Sequence, residues 1–268
     1  MEKIIVLGTG TASVVENFNT CFVLEDSKGE YLLVDTGGGN GILKQLGRAN
    51  VDIKKIHNIF ISHKHIDHLF GMLWIYRFVD LAMRKGTYEG TLNIYCHDEV
   101  AGIIRDQIHT LLRKEQQIYI DKRIFINIVN DHEKIKVLNY ELEFLDIISK
   151  SDKQYGFKTI LNNGKSLVFA GDEPLYENLY EDARNSDYLL HESFCLETES
   201  EKYKPREKNH DTVKSASIKA KSLNIKNLVL WHTQENLGEK RKEVYTKEAK
   251  ENFDGNVYVP NDLEEIIL

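Results

Sequence analysis

The segment His63-Lys64-His65-Ile66-Asp67-His68 places three imidazoles and a carboxylate within six residues. Imidazole nitrogen and carboxylate oxygen suit borderline cations such as zinc. On a loop, side chains at positions i, i+2, i+4 and i+5 can turn toward two adjacent ions. The chain has ten histidines, and this pattern arises by chance on the order of once per thousand such chains. The chemistry to expect here is that of a metal site.

Such a cluster needs elements that bring its side chains together. An apolar run at 56–61 reads as a buried strand leading into Ser62, and 70–85 carries apolar residues at helical spacing before Gly86. A strand-to-helix loop between them lets the side chains converge. Elsewhere, short apolar runs alternate with turn signals. Strands are expected at 3–7, 20–25, 31–34, 92–96, 124–129, 135–138, 142–148, 188–191 and 228–231, and helices at 42–47, 99–113, 175–183, 212–223 and 238–252. Residues 157–161 and 166–170 read as a hairpin around Asn162-Asn163-Gly164. No Pro- or Ser-rich linker and no fixed-period repeat divides the chain. Strand-rich segments that each acquire a helix, in both halves, predict an α/β protein with two sheets between outer helices, as one domain spanning residues 1–268.

Composition narrows the classes. A chain of 268 residues with 41% hydrophobic and 29% charged residues and only three prolines is globular, and it can build a core without disulfides. Cys21, Cys96 and Cys195 are an odd, scattered set without a C-x-x-C pair, which predicts reduced thiols in a cytoplasmic protein. The first ten residues offer a strand and no signal-peptide pattern. The longest apolar stretch, at 69–76, is far below the roughly 18–20 residues that span a bilayer, so no membrane role is expected. The net charge of −7 speaks against broad nucleic-acid binding.

H-x-H-x-D-H after a buried strand resembles the signature of the metallo-β-lactamase superfamily, and further stations of that superfamily follow in order. Asp35-Thr36-Gly37 resembles its first motif, whose Asp supports a ligand without being one. Phe169-Ala170-Gly171-Asp172 resembles the station that supplies a metal-bridging carboxylate, and Trp231-His232-Thr233 the last one. Within the superfamily the chain is most similar to the ribonuclease Z branch. His191-Glu192-Ser193-Phe194 resembles that branch's "HEAT" segment, with Ser for Ala and Phe for Thr, and His210-Asp211-Thr212 its downstream His motif.

The resemblance implies a four-layer α/β/β/α sandwich and a metal-dependent hydrolase, a phosphodiesterase or nuclease working through metal-bound hydroxide. One ion would sit between His63 and His65 and a second among Asp67, His68 and His232, with Asp172 bridging. Zn2+ is the expected metal, as one or two ions, with Mn2+ or Fe as substitutes. Asp67 belongs to the catalytic set, His210 would protonate the leaving oxygen, and Glu192 would orient His210. A homodimer is what the branch suggests.

Two departures qualify that picture. The branch has a third metal-binding His shortly before an aromatic-Gly-aromatic step, here Tyr155-Gly156-Phe157; the expected position falls at or near Lys150, within Ser149–Asp152, and no His lies there. Ribonuclease Z also carries a long arm that grips tRNA, inserted before the bridging Asp, and residues 158–171 leave no room for one. The expected substrate is therefore a small or short single-stranded phosphodiester, with tRNA disfavoured. The other readings are a non-hydrolytic metal-binding sensor or pseudoenzyme, motivated by the missing His, and a hydrolase of a non-phosphate ester. Gly8-x-Gly10-x-x-Ser13 lacks the third Gly and the following helix of a dinucleotide fingerprint. The basic residues between Lys202 and Lys208 could touch phosphate, although Glu197, Glu199 and Glu201 precede them.

Overall fold

The computed structural model describes residues 1–268. Its strands are β1 (Lys3–Gly8), β2 (Cys21–Glu25), β3 (Tyr31–Val34), β4 (Ile56–Phe60), β5 (Leu92–Cys96), β6 (Ile124–Ile128), β7 (Lys134–Val137), β8 (Tyr140–Asp146), β9 (Tyr155–Ile160), β10 (Ser166–Phe169), β11 (Tyr188–Glu192), β12 (Asn227–Trp231), β13 (Asn256–Tyr258) and β14 (Glu265–Ile267). The helices are α1 (Gly41–Arg48), α2 (Ile66–Leu69), α3 (Gly71–Arg84), α4 (Asp98–Leu111), α5 (Tyr180–Ala183), α6 (Ser200–Tyr203), α7 (Val213–Ser222) and α8 (Arg241–Lys250).

Two seven-stranded sheets form, in the orders β14-β1-β2-β3-β4-β5-β6 and β13-β12-β11-β10-β9-β8-β7. The strands alternate between two buried faces. On β1, Ile4 and Val6 point between the sheets, while Ile5 and Leu7 point outward under the helices. On β12, Val229 and Trp231 face inward, and Leu228 and Leu230 face the outer layer. The inter-sheet core is aromatic: Phe22, Phe169 and Trp231 pack as one group, with Phe22 and Trp231 stacked at 4.9 Å. The apolar faces of α1, α3 and α4 cover the first sheet, and those of α7 and α8 the second. The four-layer α/β/β/α architecture is present.

Each sheet has an antiparallel half and a parallel half, and the parallel pairs are β3-β4-β5-β6 and β10-β11-β12-β13. Ligand sites in α/β sheets lie beyond the carboxyl ends of parallel strands. Asp35, His63, Asp172, Ser193 and His232 all fall just beyond such ends. The 157–170 hairpin forms as β9 and β10, closed by a tight turn at Gly164 with φ +83°.

Two expectations need correction. Of the helix expected at 175–183, only Tyr180–Ala183 is α-helical. Leu175, Leu179 and Ala183 are buried at helical spacing, but the chain turns at Gly171, φ +76°, to carry Asp172 beyond β10, and it is extended at Tyr176 just before the short helical turns. The strands β13 and β14, three residues each, were not expected, and they extend the two sheets at β12 and β1. No helix is long and apolar enough to cross a membrane.

Candidate metal centre

The supporting residue comes first. Asp35 follows β3 with φ +56°, a turn that aims its buried carboxylate under the loop after β4. Oδ1 accepts a hydrogen bond from Ser62 N at 2.8 Å, and Oδ2 accepts from Ser62 Oγ at 2.7 Å and from His68 Nδ1 at 2.8 Å. A carboxylate only accepts, so His68 commits an Nδ1 proton to Asp35 and has only Nε2 left for an ion. The Ser62 hydroxyl proton is committed to Asp35, so Ser62 Oγ accepts from His63 Nδ1 at 2.9 Å, and His63 Nε2 is left bare.

These nitrogens and His232 Nε2 converge on Asp172, whose Oδ2 lies 3.5 Å from His63 Nε2, 3.2 Å from His68 Nε2 and 3.4 Å from His232 Nε2. Asp67 Oδ2 is 3.5 Å from His68 Nε2 and 3.6 Å from His232 Nε2. His63 Nε2 and His65 Nδ1 face each other at 2.9 Å. Two ligand groups result, His63–His65–Asp172 and Asp67–His68–His232. All but His65 are buried. His68 Nε2, Asp172 Oδ1 and both ring nitrogens of His232 are buried without a hydrogen-bond partner. Orphaned polar atoms at this density are costly unless a cation takes the free lone pairs among them. The donor set of imidazole and carboxylate fits zinc.

The electrostatics follow from the packing of carboxylates against imidazoles. Burial alone raises the Asp67 and Asp172 carboxyls, but His68 beside Asp67, and His63 and His68 beside Asp172, outweigh it and hold both below the carboxylate range. Burial lowers the His68 imidazole, and Asp67 and Asp35 more than reverse that, so Nε2 attracts a cation, and a bound ion would take the place of a proton there. Burial also dominates at His63, which is pushed well down.

His210 precedes α7 and enters the same cavity of about 380 Å³, which Asp67, Asp172, His232, Phe194 and Lys208 also line. Its ring stacks on Phe194 at 4.5 Å with planes 7° apart, and Nδ1 donates to the Asp172 carbonyl at 2.9 Å. Glu192, expected to orient His210, lies 3.7 Å from Nδ1, beyond hydrogen-bond distance. Its carboxylate instead accepts from Asp211 N and from Phe194 N. Glu192 therefore fixes the backbone beside His210 and beneath Phe194, while the Asp172 carbonyl sets the ring. Burial first, and His232 second, lower the His210 imidazole to about 4.

Sequence reasoning did not single out Asp152 or Phe194 for the site, nor residues 11–13, which form one wall of the cavity. Asp152 Oδ2 is 3.1 Å from His65 Nε2. Lys150 turns away, with Nζ 4.8 Å from the Tyr176 ring centre. Of the basic residues between Lys202 and Lys208, Lys208 lines the cavity, whereas Arg206 and Lys204 pair with Glu197 and Glu207. His132 bonds Glu143 on the outer face of the second sheet. A larger cleft of about 490 Å³ lies on that face, but its Lys158 is already paired with Glu143 and Asp182, so it lacks the orphaned groups of the cluster.

Fold and cluster together define a metal-dependent hydrolase of the metallo-β-lactamase superfamily. The chain is similar to ribonuclease Z of Nitrosopumilus maritimus (strain SCM1), 26% identical over 307 aligned positions covering 98% of this chain and 99% of that protein. In structure it is similar to the metallo-β-lactamase fold protein YhfI of Bacillus subtilis, with TM-score 0.78, 20% identity, and 99% and 98% of the two chains covered. It is also similar to a diphosphatase of the PhnP family, with TM-score 0.73, 17% identity, and 99% and 96% covered. Within the superfamily, the chain belongs to the family described as Anti-Pycsar protein Apyc1, which it matches over residues 2–205.

Proposed function

We propose that this hydrolase cleaves small or short single-stranded phosphodiesters. In this reading His63, His65 and Asp172 hold one ion, and Asp67, His68, His232 and Asp172 a second, with zinc resident or manganese or iron in its place. The observation that carries the reading is the placement of Asp172 Oδ2 within 3.5 Å of three imidazole nitrogens, in a cavity that His210 also enters. Such ions supply a water acidified toward neutral pH and positive charge against the developing charge on a phosphoryl oxygen. The ribonuclease Z and diphosphatase similarities support phosphate chemistry.

Each residue then has a task. Asp35 and Ser62 fix the rings of His68 and His63. Asp67 stays ionised and can ligate or accept a proton. His210 is neutral at pH 7, with its Nδ1 proton engaged by the Asp172 carbonyl, so its free Nε2 is an acceptor. To protonate the leaving oxygen it would first take up a proton from solvent at Nε2, the nitrogen that the Asp172 carbonyl leaves free. Phe194 holds the ring flat, and Lys208 at the rim offers a cation to a phosphate.

Precursor tRNA is proposed to be a poor substrate. The support is the tight β9–β10 turn where ribonuclease Z has its arm, and the net charge of −7, since phosphate contacts supply much nucleic-acid affinity. The test runs bis(p-nitrophenyl) phosphate and a precursor tRNA side by side at physiological salt with zinc or manganese, with Asp67→Ala as control. Diester turnover with slow or absent 3′ processing is expected. Accurate tRNA processing at sub-micromolar enzyme would overturn the substrate assignment.

A further inference from the structure

Lys150 stands where a third metal-binding His was expected, and the surrounding loop shows what the chain does in its place. Glu173, next to Asp172 and buried, accepts hydrogen bonds from Ser149 Oγ at 2.7 Å, from Lys150 N at 3.1 Å, from Ser151 Oγ and from Tyr176 Oη at 2.9 Å. The two serines therefore fasten the loop to the strand end that carries Asp172. The residues alternating with them point elsewhere: Lys150 lies over Tyr176, and Asp152 reaches His65. Lys64 Nζ holds the other Asp152 oxygen at 2.7 Å.

We propose that Asp152 is a positioning residue that keeps the His65 proton on Nε2, so that Nδ1 is the nitrogen His65 offers to the ion shared with His63. The proposal rests on the reading that His65 helps hold an ion. His65 has two ring nitrogens, and the structure orients both. Nδ1 points at His63 Nε2, 2.9 Å away, and Nε2 points at a carboxylate that can only accept. A carboxylate on the far nitrogen of a metal-binding imidazole fixes its tautomer and ring angle and raises its basicity. In this protein two rings would then have the same device, His68 through Asp35 and His65 through Asp152. The supports differ in environment, because Asp35 is buried whereas the Asp152 and His65 side chains are 36% and 40% exposed. Solvent screening weakens the second support, so the ion at His63–His65 should be the more weakly held.

The experiment is calorimetric zinc titration of the full chain and of Asp152→Ala and Asp152→Asn, with NMR of histidine ring nitrogens in the zinc-loaded protein. Asp152→Ala is expected to weaken the first ion about tenfold, the low end for such partners, and to leave the second unchanged. Asp152→Asn keeps an acceptor and should lose less, about threefold. In the wild type, His65 should carry its proton on Nε2. A wild type that binds no zinc would overturn both the site reading and this proposal. A wild type that binds two ions overturns only the role of Asp152 if Asp152→Ala matches it at both sites, if Asp152→Asn is no better than Asp152→Ala, or if His65 is protonated on Nδ1.

Discussion

Replacing Asp35 with Asn tests whether the cluster is held from below. The buried carboxylate accepts three hydrogen bonds, two from Ser62 and one from His68. An amide of the same shape has one oxygen. If that oxygen serves Ser62 Oγ and His68 Nδ1, the amide NH2 meets the Ser62 N–H, donor against donor. Hydrogen bonds to a charged acceptor contribute about 1.5–3 kcal/mol and neutral ones about 0.5–1.5. Three such downgrades, one of them ending in a buried unsatisfied donor, come to about 3–5 kcal/mol. At about 2–4 °C per kcal/mol for a chain of this size, the metal-free protein should melt roughly 10 °C lower. His68 would lose its fixed tautomer, so affinity at Asp67–His68–His232 should fall about 10–100-fold. Differential scanning calorimetry of chelator-treated protein and zinc titration read the two effects. A melting temperature within 2 °C of wild type together with unchanged affinity would refute the idea that Asp35 orients this ring.

Other changes should separate residues that face the site from those that do not. Lys150→His should change zinc affinity less than about twofold, because that side chain lies over Tyr176; tighter binding by calorimetry would show that the loop can turn over. His210 has its imidazole lowered to about 4 by burial, so below its unfolded pKa of about 6.5 the unfolded chain binds the extra proton. Metal-free stability should therefore fall as pH drops from 6.5 toward 4, by up to about 3 kcal/mol from this group. In His210→Gln that share of the slope should vanish in urea titrations at pH 7 and pH 5, and an unchanged slope would place the ring in a wetter setting. Lys208→Met should raise KM for an anionic diester about 3–10-fold with little change in kcat, the pattern of a lost rim charge; steady-state kinetics would reveal a kcat effect instead if Lys208 acts on the reacting atoms.

The part of the site that lies contiguous in the chain was the most legible. His63 to His68 states its chemistry through residue type and spacing, and Asp172 and His232 follow from their order along strand ends. Glu192 was read as touching His210, because motif order shows proximity but not whether a carboxylate bonds a ring or the adjacent backbone. Asp152 carried no signal, since its link to His65 depends on two serines bonding Glu173 across a loop. The Phe194–His210 stack is also a contact across segments, although the unusual Phe after Glu192-Ser193 marked the position. Among the elements, central strands with two buried faces were read nearly to the residue, whereas β13 and β14 are too short to show a period. Residues 175–183 displayed helical spacing without forming a full helix, because the chain is extended at Tyr176 and tertiary packing buries Leu175 from outside any helix.

The most direct test is turnover of bis(p-nitrophenyl) phosphate by chelator-stripped protein given zinc, manganese or cobalt in increasing equivalents, alongside Asp172→Asn. Asp172 is the one side chain shared by both proposed ligand groups, so activity should rise with added metal up to two equivalents and be lost in Asp172→Asn. Turnover in the presence of chelator, or undiminished turnover in Asp172→Asn, would contradict that assignment.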